Sequence, residues 1–111
     1  MYNLLLFWNI GKKVYENTDN CAVERYSTYY SYYYGNSYMF SRENIRFMKL
    51  FYMCFPIYYK KLNNISWEQY KLLFEIENRK ERLFYFYLSL FFNSDFTETN
   101  DFIENNYYVR I

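Results

Sequence analysis

One stretch constrains this chain more than any other: Ser41 to Pro56, SRENIRFMKLFYMCFP. Ser41 suits a helix N-cap, because its hydroxyl can accept from the free amides of a first turn, and Pro56 has no amide with which to continue a helix. Between them Ile45, Met48, Tyr52 and Phe55 recur at helical spacing, with Phe47 and Phe51 alongside, so one side of the helix has to be buried. Arg42, Arg46 and Lys49 stand at i, i+4 and i+7 on another face. A helix anchored on one side and basic on the other has the form of one that enters a DNA groove, where guanidinium forks reach phosphates or base edges. It is equally the form of an amphipathic helix with a solvated charged face.

The remaining elements also read as helices, and the fold class expected is all-α. Residues 2 to 16 predict a first helix with Leu4, Phe7, Trp8 and Val14 inward; Gly11 marks either a close approach by another helix or a weak point. Residues 22 to 34 predict a second, with Val23, Tyr26, Tyr30 and Tyr33 or Tyr34 inward and Arg25, Tyr29 and Tyr32 projecting at i, i+4 and i+7. Gly35, Asn36 and Ser37 end it, and a turn of three or four residues before the next helix would make a helix-turn-helix centre. After a linker with Lys60, Lys61, Asn63 and Asn64, Ser66 and Gln69 form a capping box for a fourth helix lined by Trp67, Tyr70, Leu73 and Phe74. A fifth, from about 80 to 92, repeats Leu83, Phe84, Tyr87, Leu90 and Phe91. Thr97 is expected to cap a short sixth helix with an acidic first turn.

At 111 residues the chain has room for one small domain, in which Trp8, Phe51, Trp67 and Phe84 are expected to share a core. Its 17 Tyr and 12 Phe supply large areas to bury with few rotatable bonds. An AT-rich genome favours such codons, but only seven Lys occur, so base composition does not explain the tyrosines alone. With no histidine, the commonest general base and metal ligand are missing. Cys21 and Cys54 are too few for a zinc site, and no pattern for a cofactor occurs. Both cysteines are expected as small buried hydrophobes in a reducing cytoplasm, with a disulfide between them the lesser alternative. The opening LLLFW soon meets Gly11, Lys12 and Lys13, unlike a signal peptide, and no run is long enough to span a membrane. Through residue 61 there are eight basic residues against four acidic; from 62 onward, five against eight, Arg110 included. Any contact with phosphate therefore belongs to the first half and is local.

In order and approximate spacing, LFWNIG (6–11), VERYS (23–27), Gly35, FSRENIRFM (40–48), FYMCFP (51–56), ISWEQYKLL (65–73) and RLFY (82–85) resemble the N-terminal helical domain of the YhcG-type nucleases. These proteins couple such a domain to a C-terminal PD-(D/E)XK nuclease. The middle is also similar to the helix-turn-helix of ParB-type partition proteins. This sequence departs from the family's pattern in several places. No Asp followed by Glu-x-Lys occurs, so the resemblance implies no nuclease chemistry for these residues. Glu43, Phe47 and Leu50 stand where the family has further arginines, and Ser66, Trp67, Glu68, Gln69 replaces Ser-Trp-Ser-His. Thr99 and Asn100 replace a basic position, and Tyr29, Tyr32 and Tyr33 fall where relatives carry Lys or Glu.

The resemblance implies a non-enzymatic module that places its partner domain on double-stranded DNA. Arg42, Arg46 and Lys49 would make the groove or backbone contacts, and Ser41 and Asn44 would reach a phosphate or base edge near the helix N-terminus. The residues also support a protein-binding module. Arg25, Tyr29 and Tyr32 form an amphipathic surface of the kind enriched at interfaces, suited to a homodimer or to blocking a nucleic-acid-processing complex, as small phage anti-defence and anti-CRISPR proteins do.

Overall fold

The computed structural model describes residues 3–17 and 19–109. Tyr2, expected to open the first helix, and Arg110 of the charge balance lie outside the described residues. Six helices follow one another: α1 Leu4–Glu16, α2 Ala22–Tyr34, α3 Arg42–Cys54, α4 Trp67–Phe74, α5 Arg79–Phe92 and α6 Phe96–Glu104, with a 3-10 turn at Lys60–Asn64 in the expected linker. No strand occurs among the described residues, and the all-α expectation holds. No helix among them is long and apolar enough to cross a membrane. The helices group into two compact units, residues 1–58 and 59–111.

In the first unit, α1 packs along α3. Asn3 caps α1 by accepting from the amide of Leu6 at 2.8 Å, and Phe7, Ile10, Gly11 and Val14 form its buried stripe. Gly11 is there because the two backbones nearly touch: a Cβ at this position would lie 1.9 Å from the carbonyl oxygen of Met48 and 2.5 Å from its carbon. Close approach, not weakness, explains the residue. On α3 the facing stripe is Ile45, Met48 and Phe51, each fully buried. Trp8 is half-buried and donates its indole N–H to the carbonyl of Phe55 at 2.7 Å, which ties α1 to the end of α3 beside Pro56.

The connection between α2 and α3 is longer than expected, running from Gly35 to Ser41. Gly35 takes the left-handed conformation (φ 63°), and the Asn36 side chain accepts from the amide of Met39, so the chain makes a further turn before α3 starts. Phe40 plugs that turn into the core at 0 % exposure, and Ser27 and Ser31 both donate to its carbonyl. Cys21, expected buried, is exposed at the start of α2, while Cys54 is partly buried, and no disulfide joins them.

In the second unit, Ser66 and Gln69 form the expected capping box on α4. Gln69 does more than cap. It is 3 % exposed; its amide donates to the carbonyl of Ser94 at 2.8 Å and to Thr99 Oγ1 at 2.9 Å, and Thr99 in turn shares a 2.8 Å hydrogen bond with Ser89. One polar side chain thus ties α4, α5 and α6 together. Tyr70, fully buried, donates its hydroxyl to the Leu62 carbonyl at 2.6 Å. The cap of α6 is Asp95, in a capping box with Glu98, and not Thr97: both residue types can cap, and the helix starts two residues before the expected place. On α5 the inward residues are Tyr85, Phe86 and Ser89. The repeat Leu83, Phe84, Tyr87, Leu90 and Phe91 lies elsewhere on the helix, Tyr87 and Phe91 being exposed.

Candidate functional site

Because α3 is pinned along Ile45, Met48 and Phe51, its opposite face is left to solvent. Arg42 and Arg46, one turn apart, are both exposed there, with Glu43 beside them and the exposed Met53 two turns further on. Arg46 stands 4.0 Å from Glu24 of α2, and both side chains are about half exposed, so the pair is loose and readily exchanged for another anion. Lys49 is less open than its sequence spacing suggests. It is partly buried and lines a cleft of about 380 Å³ with Val14, Asp19, Asn20 and Val23, at the flank of the arginine face.

Ser41 and Asn44 are spent on the fold. The Ser41 hydroxyl accepts from the amide of Asn44, and the Asn44 side chain, 7 % exposed, donates to the carbonyls of Tyr38 and Met39 at 3.3 and 3.1 Å. Held against the backbone in this way, Asn44 fastens the 35–41 turn to α3 and is not presented to a ligand.

The tyrosines of α2 separate into two ladders at i, i+4 spacing. Tyr26, Tyr30 and Tyr34 stack in sequence, with rings 6.1 and 6.2 Å apart, and Tyr34 stacks on Phe40 at 5.0 Å. Tyr29 and Tyr33 form the second ladder, 6.0 Å apart. Of the two residues expected for the inner place, Tyr33 turns outward and Tyr34 takes it, because Phe40 returns beneath it. Arg25, Tyr29 and Tyr32 share the expected outer side, Tyr32 at 91 % exposure, with Arg25 held 2.6 Å from Asp19. Tyr38, in the turn, is also exposed. A groove runs from this side toward α1, where Lys13 lies 3.4 Å from the Tyr30 hydroxyl and Arg25, Tyr26 and Tyr29 complete the wall.

Sequence spacing missed Leu50 and Met53 as neighbours of the arginines. Counting i+4 and i+7 from Arg46 finds them; counting from Arg42 leads to Lys49 instead. Among the described residues, no group of three or more acidic or cysteine side chains is placed to hold a metal ion.

No curated protein and no solved structure gives a significant match. The family model of the DUF1016 N-terminal domain matches residues 2–110, nearly the whole sequence. The chain belongs to the DUF1016 N-terminal domain family, the helical domain found at the N-terminus of YhcG-like nucleases.

Proposed function

We propose that this domain is a non-enzymatic binding module that holds duplex DNA against the outer face of α3, with Arg42 and Arg46 on phosphates or base edges. The observation that carries this reading is the exposure of both guanidinium groups on a helix whose other side is locked to α1 at Gly11. A helix that presents cations on a rigid support does not have to be ordered when it binds. Membership of a family whose domain precedes a nuclease supports the same reading, since a domain in that position is suited to placing the nuclease on its substrate. Lys49 lies at the edge of the contact, while Ser41 and Asn44 shape the helix start behind it. The cytoplasm, where DNA is accessible, is the proposed location.

A second reading is favoured by one observation, the exposure of Tyr29, Tyr32 and Tyr33 on α2. That surface suits a protein partner, including a nucleic-acid-processing complex that the domain would block as an anti-CRISPR protein does. An affinity pull-down from the native host, with and without nuclease treatment, separates the readings. DNA binding predicts partners that are lost on treatment. Partners that survive it unchanged would overturn the first reading in favour of the second.

A further inference from the structure

The α5 helix, RKERLFYFYLSLFF, is apolar on two sides. Tyr85, Phe86 and Ser89 face the core, while Phe84, Tyr87, Leu88 and Phe91 fall at i, i+3, i+4 and i+7 on another face. Tyr87 is 57 % exposed and Phe91 82 %; Phe92, also 57 % exposed, sets its ring 5.0 Å from that of Phe91. A helix with apolar residues all round is one that is covered on both sides. From the usual size of aromatic side chains, these three rings leave roughly 400 Å² open, within the range of the largest patches on soluble monomers, which are often functional.

The charges identify the occupant. Arg79 and Lys80 stand exposed in the first turn of α5, where the helix dipole disfavours cations. The last turn carries no base, and Asp95 and Glu98 follow just beyond the C-terminal end. A helix laid antiparallel, with its negative end and following acids beside Arg79 and Lys80, complements this arrangement. α5 itself offers that pattern together with a matching exposed apolar stripe.

We infer that the protein self-associates about a two-fold axis, α5 of one copy lying antiparallel on α5 of a second. The stripe is self-complementary in this register: Phe84 meets Tyr87 of the second copy, and Lys80 meets Phe91, a cation over an aromatic ring. Both copies together bury roughly 800 Å² through the three rings, and with the remaining open area of the partly buried Phe84 and Leu88 about 1000 Å², the lower bound of a specific interface. Neither Arg42 nor Arg46 takes part, so this inference stands apart from the DNA reading.

Sedimentation equilibrium of the full chain is the first test. A monomer–dimer equilibrium is expected, weakened about thirtyfold or more by Phe91→Glu with helical circular dichroism unchanged, as loss of a hot-spot aromatic does. The register is tested by oxidation in a background where Cys21 and Cys54 are serine. A mixture of Lys80→Cys and Phe91→Cys chains should form a disulfide-linked heterodimer, whereas either alone should not, because eleven helical residues separate like positions by about 16 Å. A parent that stays monomeric at the highest concentration reached, a dimer indifferent to Phe91→Glu, or cross-linking of each chain with itself as fast as with the other would overturn the inference.

Discussion

Replacing Gly11 with alanine sets two effects of opposite sign against each other. In an isolated helix the change gains about 1 kcal/mol, because alanine loses less backbone entropy than glycine. In this chain the new Cβ would meet Met48 O at 1.9 Å and Met48 C at 2.5 Å, both of them backbone atoms that cannot rotate aside. A comfortable carbon–oxygen contact is about 3.3 Å, so α1 and α3 would have to part by roughly an ångström. A gap of that size forfeits a quarter to a half of each dispersion contact along Phe7, Ile10 and Val14 against Ile45, Met48 and Phe51. Overpacking against rigid backbone costs about 3 kcal/mol, leaving a net loss of about 2 kcal/mol and a melting temperature lower by about 8 °C or more. Urea and thermal denaturation followed by circular dichroism measure this directly. An unchanged or higher melting temperature would refute the backbone contact and with it the rigid support assigned to α3.

Three further outcomes are expected. Gln69→Leu should destabilise the second unit by about 2 to 4 kcal/mol in urea unfolding, since it strands the Ser94 carbonyl in the core and removes the donor to Thr99; a loss below 1 kcal/mol would show that the network is replaceable. Changing Tyr29 and Tyr32 together to Lys should leave helicity and melting temperature nearly unchanged, because both side chains are exposed, while weakening any protein partner by more than about 2 kcal/mol in calorimetry. The Tyr59 hydroxyl is pushed above the ordinary phenol range by burial and by its neighbour Tyr87, so the folded chain holds this proton more tightly than the unfolded one. Its contribution to stability is full below pH 10 and is lost as pH rises through the raised value, so Tyr59→Phe should flatten the alkaline fall of the melting temperature; an identical fall in the variant would count against it.

Helix boundaries were legible wherever a side chain signals an end through its own chemistry. Ser41 and the Ser66–Gln69 box mark starts because their oxygens and amides have few other local uses, and Gly11 announced a neighbour because a missing Cβ is costly without one. Which face of a helix is buried was legible only where the other face is polar. On α3 the charged side settles it. On α5 either stripe satisfies helical periodicity, so spacing alone cannot choose between Phe84, Tyr87 and Phe91 and the buried set of Tyr85, Phe86 and Ser89. The same degeneracy left Tyr33 and Tyr34 as alternatives for the inner place, decided by Phe40 folding back under Tyr34. Asn44 illustrates a different limit: whether an asparagine faces a ligand or its own backbone depends on carbonyls that a turn delivers, and the 35–41 turn delivers two.

Fluorescence anisotropy of a labelled DNA duplex, titrated with the chain across a range of salt concentrations, tests the role assigned to α3 most directly. Arg42 and Arg46 each neutralising a phosphate predicts binding at low ionic strength that falls linearly in log–log form as salt rises. The Arg42→Ala, Arg46→Ala double variant should remain folded, bind far more weakly and lose about two from the salt slope. A parent that does not bind duplex DNA at low salt, or a folded double variant that binds with the same affinity and slope, would contradict the account.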